Sequence, residues 1–169
     1  MRLLATLAVL IAAPVHAAMQ TTPYIALHAQ PQYSARGYMP YANPSAPKGG
    51  YITTAANGTF DNLNSMNGKG SAVDGVNYLF DSLMSSSLDE PGVMYPLLAE
   101  RVSFDPKNLT TVTFELNPQA KFSDGSAVTA QDVKFTFDAY LNKANPGLQM
   151  YLSDLARTEV LARHTVRMH

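Results

Sequence analysis

Residues 111–141, TVTFELNPQAKFSDGSAVTAQDVKFTFDAYL, dictate three consecutive pieces of backbone. Val112, Phe114 and Leu116 alternate with Thr111, Thr113, Glu115 and Asn117, the two-residue period of a strand with one buried face. Pro118 closes that strand, because proline has no N–H to give a ladder. Phe122-Ser123-Asp124-Gly125-Ser126 is a turn: an aspartate bonds the backbone ahead of it, and glycine tolerates positive φ. Thr129 is placed to cap a helix, with Asp132 three residues on as the acid of a capping box. Val133, Phe137, Tyr140 and Leu141 then recur at helical spacing. Strand, turn and capped helix in so short a stretch belong to a mixed α/β domain.

The charge balance excludes one class of partner. Twelve Lys+Arg against 13 Asp+Glu give a net charge of -1, with no basic excess of the kind that holds nucleic acid. With no cysteine in the chain, disulfides, thiol catalysis and cysteine zinc sites are excluded. The 169 residues suit one domain of ordinary size.

Residues 1–17 read as a cleaved export signal. Arg2 supplies the positive start, Leu3 to Ala13 the apolar run, and Val15-His16-Ala17 the small-residue cleavage site. The run falls short of the ~20 residues that span a bilayer, and no cysteine follows the cut. A periplasmic protein that is not membrane-anchored after cleavage is expected. Residues 18–48 then form an extended arm rich in proline and tyrosine, with Tyr24, Tyr33, Tyr38 and Tyr41 able to pack while keeping their hydroxyls wet.

Along the rest of the chain, Tyr51 to Ala56 is a β-prone run, and Asn57 to Asn64 a polar turn beyond its carboxyl end, where open α/β sheets tend to bind ligands. Gly68 to Gly75 reads as a flexible loop; its Gly68-Lys69-Gly70 lacks the ending of a phosphate loop. Val73, Val76, Leu79, Phe80, Leu83 and Met84 fit one face of a helix, ended by Ser85-Ser86-Ser87. Tyr95 to Arg101 is expected to be a helical turn opening on Pro96. Val102 and Phe104 start a strand that turns at Asp105-Pro106-Lys107-Asn108 and pairs with the opening element. Asn145-Pro146-Gly147 breaks the helix, Tyr151 to Leu155 is a short apolar turn, and Thr158–Leu161 and Thr165–Met168 are strands.

No catalytic constellation emerges. His16, His28, His164 and His169 lack H-x-x-x-H spacing, no G-x-S-x-G is present, and Asp89-Glu90 reads as a solvated loop. No catalytic residue, metal ligand or cofactor is assigned, and an exported hydrolase remains only as an alternative.

The run F-x-L-N-P-x-A-K-F-S-D-G-S-x-V-T-A-x-D-V-K-F-T-F resembles the signature region of the family 5 extracellular solute-binding proteins, the peptide-binding receptors of ABC importers. APKGG followed by a β-prone run and GTFDNLN, and LFDSLMSSSLDEP, resemble the YejA-like branch. The resemblance implies a type II periplasmic-binding fold, with residues 49–169 as an incomplete first lobe: a mixed sheet with flanking helices. It implies a peptide ligand held through main-chain groups and an inner-membrane ABC permease as partner. It carries the cleft onto Thr59, Phe60 and Asp61, onto Ser85 and Ser86 at the expected helix end, and onto Tyr151. Family members are two-lobed and much longer, so the chain is expected to be a truncated product impaired in ligand capture, or a non-binding interaction fragment. Nickel- and haem-binding members make Met84, Met94 and Met150 worth locating.

Overall fold

The computed structural model describes residues 19–26, 31–33, 38–39, 41–66 and 68–169. The expected signal at 1–17 lies outside them. Among the described residues the strands and α-helices are β1 (Gln20–Thr22), β2 (Ile25–Ala26), β3 (Met84–Ser86), β4 (Val93–Pro96), β5 (Ala99–Asp105), β6 (Asn108–Leu116), α1 (Ala130–Lys143), α2 (Pro146–Tyr151), β7 (Thr158–Ala162) and β8 (Thr165–Met168). They make one five-stranded sheet, ordered β1-β5-β6-β8-β7, and one three-stranded sheet, ordered β2-β4-β3. All these strand pairs are antiparallel, and an isolated bridge between Asn62 and Ala72 is parallel.

The large sheet is built on β6, at its centre. Phe114 lies opposite Val102 of β5 and Val166 of β8, and those two valines are fully buried. With Met84, Ala99, Leu116, Ala130 and Val133 they form one core cluster, so α1 covers the inner face of the sheet. Burying each of the larger side chains among them contributes about 1.5–3 kcal/mol. The outer face carries Ser103, Thr113 and Arg167, joined by Thr21 Oγ1 to Ser103 Oγ at 2.8 Å and by Arg167 Nε donating to Thr113 Oγ1 at 3.0 Å.

Local chemistry ends α1 where the spacing predicts. Asp132 Oδ2 accepts from the Thr129 N–H at 2.8 Å and from its hydroxyl at 2.6 Å. At the other end, Asn145 Oδ1 accepts from Leu148 N at 2.9 Å and caps α2, whose first residue is Pro146. The turn before α1 closes through Phe122 N donating to Ser126 O and Gly125 N to Phe122 O, both at 2.9 Å. Gly125 has φ +87° there.

Three expected elements fail, two because backbone pairing overrides a side-chain pattern and one for want of a partner strand among the described residues, and Glu90, expected in a solvated loop, is buried. The helix expected over 73–84 is only a 3-10 turn at Val76–Leu79, preceded by Gly75 at φ +81°. Leu79 and Phe80 are exposed, while Met84 is buried in β3. An i, i+3, i+7 pattern is also satisfied by a loop that buries only Val76 and then a strand. Ser85 and Ser86 therefore lie on β3, not at a helix end, opposite Tyr95 and Met94. The helical turn expected at 95–101 is the end of β4 and the start of β5; the intervening Leu97 and Leu98 donate to Leu83 O and Ser82 O. Tyr51 to Ala56 is irregular rather than a strand, and Tyr51 is fully exposed. Among the described residues it has no partner strand, and an unpaired β-prone run is not stable alone.

A buried carboxylate ties the segment around Tyr33 to the β3–β4 hairpin. Glu90, 5% exposed, accepts from the Tyr95 hydroxyl at 2.7 Å and from Gln32 N at 2.9 Å. Tyr95 OH accepts in turn from Tyr33 N at 3.2 Å. Burial, then the hydrogen bond to Glu90, raises the Tyr95 hydroxyl above its usual pKa. Glu90→Ala leaves that hydroxyl unsatisfied and is expected to cost about 1–3 kcal/mol. Loss of Tyr33 amide protection in hydrogen exchange checks the local effect. Beside it, the Ser87 hydroxyl holds Asp89 below the usual carboxylate value of 3.8, with the Tyr33 hydroxyl adding to this. A depressed folded pKa stabilises above the unfolded value, so this tie weakens as pH falls through the folded one.

Candidate functional site

The loop from Thr59 to Val73, described except at residue 67, contains three of the expected cleft residues. It folds back on itself around Asp61. The Asp61 N–H donates to Ser71 O at 3.0 Å, while Asp61 Oδ1 accepts from Ser71 N at 2.8 Å and from Asn62 Nδ2 at 3.2 Å. Asn62 Nδ2 also donates to Lys69 O at 2.8 Å, and its Oδ1 accepts from Asn64 N at 2.9 Å. Val73 N donates to Asn62 O at 3.0 Å. These bonds fix a turn that sequence alone leaves shapeless.

Gly70 makes the turn possible. At φ +69°, a Cβ built on it would lie 2.1 Å from Asp61 Oδ1, so only glycine lets the carboxylate approach. The loop is anchored far along the chain as well. Asn145 N donates to Met66 O at 2.8 Å, and a Cβ on Gly68 would lie 2.5 Å from Asn145 Cβ. Asn145 thus joins the loop to the start of α2 while capping that helix.

The expected site residues fall on three elements. Thr59 and Phe60 are exposed at the start of the loop, and Asp61 uses a carboxylate oxygen to hold the loop. Tyr151 is exposed at the last position of α2, the helix that Asn145 links to this loop. Ser85 and Ser86 sit apart in the small sheet, on β3, which among the described residues is an edge strand paired with β4. Edge strands present main-chain groups to which a further strand can add. Gly70, Asn62 and Asn145, which shape the loop, were not among the expected residues. The paired glycines of Gly68-Lys69-Gly70 were the available signal, since closely spaced glycines mark positive φ or close backbone approach.

Two shallow pockets lie elsewhere, and none of the six expected residues lines either. One, of about 420 Å³, is walled by Leu109, Val112, Leu155, Met168 and His169 among others. At its rim His169 Nε2 lies 2.8 Å from Glu159 Oε2, which lowers the Glu159 pKa from its usual value. The other, of about 300 Å³, separates the loop from α1 and is lined by Asn64, Met66, Phe80, Phe135, Thr136, Ala139 and Tyr140. Among the described residues no group of three or more His, Cys, Asp or Glu could hold a metal. Met84 is buried in the core, Met94 packs against it, and Met150 is exposed on α2, so the three methionines do not form a ligand set.

The family model described as bacterial extracellular solute-binding proteins, family 5 Middle, matches residues 93–169. A putative binding protein of Brucella melitensis biotype 1 is 39% identical over 168 residues, covering 92% of this chain and 27% of that protein. The probable peptide-binding protein YejA of Agrobacterium fabrum is 39% identical over 120 residues, covering 71% of this chain and 19% of that protein. Among solved structures, NikA from Brucella suis, in complex with Fe(III)-EDTA, superimposes with a TM-score of 0.53 at 25% identity. It covers 63% of this chain and 21% of the NikA chain. The chain thus spans about a quarter of the length of the Brucella melitensis relative, 27%.

Proposed function

Because this chain belongs, through residues 93–169, to the family 5 extracellular solute-binding proteins, we propose that it forms part of one lobe of a periplasmic peptide receptor serving an ABC importer. The observation that carries the peptide reading is the 39% identity to a probable peptide-binding protein over 71% of the chain. The fold suits that reading. A hydrogen-bonded loop presents Thr59 and Phe60, α2 presents Tyr151, and β3 is an edge strand at Ser85 and Ser86 to which an extended backbone could add. Residues 1–17 serve as the export signal, and the part of the lobe present here takes in β1 and β2, which pair with β5 and β4, as well as 49–169. The inner-membrane permease is the partner.

A single wall leaves a peptide largely in water, whereas ligand sites bury some 70–90% of a drug-sized ligand. Weak capture follows. In two-dimensional amide NMR, di- to hexapeptides at millimolar concentration are expected to shift the signals of 59–61, 85–86 and 151. Shifts confined to other residues would overturn this assignment of the wall.

A further inference from the structure

Residues 41–60 are exposed without exception, and from Pro47 to Phe60 none is hydrogen-bonded to another described residue. Gly49 at φ +96° and Gly50 at φ +116° have nothing within 4 Å of the place a Cβ would take, so they supply freely turning backbone rather than close packing. Lys48, just ahead of them, is the sole lysine or arginine between Arg36 and Lys69. An endopeptidase takes its substrate as extended backbone and cuts fastest where no bond or packing must first be broken. Other described cations are less free. The Lys69 carbonyl accepts from Asn62, Lys107 sits in the β5–β6 turn with its N–H held by Asp105, and Lys121 is bridged to Ala127.

The ties that fasten the chain ahead of Lys48 are made to residues well beyond it. β1 pairs with β5 and β2 with β4. Gln32 N donates to Glu90 and Tyr33 N to the Tyr95 hydroxyl. The Tyr33 hydroxyl donates to Asp89 at 3.0 Å, and that of Tyr41 accepts from Leu88 N at 3.3 Å. None of them depends on the covalent path through 47–60.

We infer that the Lys48–Gly49 peptide bond is a cleavage site for an endopeptidase that selects a cationic side chain ahead of the bond, and that the amino-terminal piece stays seated on the two sheets after the cut. The reaction is a hydrolysis. The C–N bond between Lys48 and Gly49 breaks, water gives its hydroxyl to the Lys48 carbonyl and its proton to the Gly49 nitrogen, and no other reactant is consumed. Cleavage turns a tethered segment into one held by short strand pairings and by the carboxylates of Asp89 and Glu90. This stands whether or not the receptor's ligand is a peptide.

Trypsin, whose acidic specificity pocket takes lysine and arginine, is the probe, with cuts mapped by mass spectrometry and the pieces followed by native gel filtration. The first cut is expected at Lys48–Gly49, at least about tenfold faster than at Lys69, Lys107 or Lys121, which need local opening. The two pieces are expected to elute together until denaturant is added. Lys48→Gln, at a position with no bond to lose, is expected to abolish that product. Glu90→Ala is expected to weaken retention of the amino-terminal piece at least about fivefold. Should that variant fail to fold, Tyr33→Phe, which removes the hydroxyl bonded to Asp89, is expected to give a milder loss. A first cut at any other bond, or one that persists at 48–49 in Lys48→Gln, would overturn the cleavage site. Pieces that separate under native conditions, or full retention in both clamp variants, would overturn the seating.

Discussion

Phe114→Ala is expected to lower the unfolding free energy by about 3–5 kcal/mol, the range for emptying a large aromatic site in a core. Phe114 sits where three strands meet. Its neighbours across β5 and β8, Val102 and Val166, are themselves fully buried and cannot turn toward solvent to fill the gap. Val133 and Ala130 close the same cluster from α1. Domains of this size are stable by only about 5–15 kcal/mol, so the variant loses a large share of the total. Urea unfolding followed by far-ultraviolet circular dichroism measures it. The half-exposed Phe122 in the turn before α1 is the control, and Phe122→Ala is expected to cost under about 1 kcal/mol. A Phe114→Ala loss as small as the control's would mean that the β5–β6–β8 packing is not the stabilising core.

Gly70→Ala is the second large effect, and a more local one. The added methyl group meets the Asp61 carboxylate at 2.1 Å, and alanine at φ +69° is strained even in open space. Together these are expected to cost about 1–3 kcal/mol of loop stability. The cost falls on the loop, because its bonds to Ser71 and Lys69 are exposed and can break without opening the core. Hydrogen exchange should lose protection at Ser71 and Val73 while Phe114 and Val166 stay protected. Asp61→Asn keeps an oxygen for the Ser71 N–H and is expected to disturb the loop less. If Gly70→Ala leaves the Ser71 and Val73 amides as protected as before, the loop is not held by the Asp61 approach.

The parts of the fold legible in the sequence are those set by local chemistry. Thr129 with Asp132, Asn145 with Pro146, Asp124 with Gly125, and the alternation of Val112, Phe114 and Leu116 each name a cap, a turn or a buried face within a few residues. The failures lie where distant pairing decides. Met84 to Ser86 form a strand because β4 lies alongside, and residues 51–56 do not because no strand does. The loop at 59–73 was legible as polar and glycine-rich. Its shape was not, since it depends on Asp61 meeting Gly70 and on Met66 meeting Asn145 across 79 residues of chain. Aromatic periodicity in α1 likewise pointed to the face of Val133 and Phe137 that packs on the core, whereas Phe135 lies exposed on the other side.

The central proposal, that this chain supplies one wall of a two-walled peptide site, is tested most directly by calorimetry, titrating a di- to hexapeptide library into the chain and into a hybrid in which it replaces the aligned segment of the Brucella melitensis relative. The chain alone is expected to bind no tighter than about millimolar, and the hybrid to gain at least 100-fold, about 2.7 kcal/mol, on closing around the same peptides. Sub-micromolar affinity in the isolated chain would contradict the account, because the site would then be complete without a second wall.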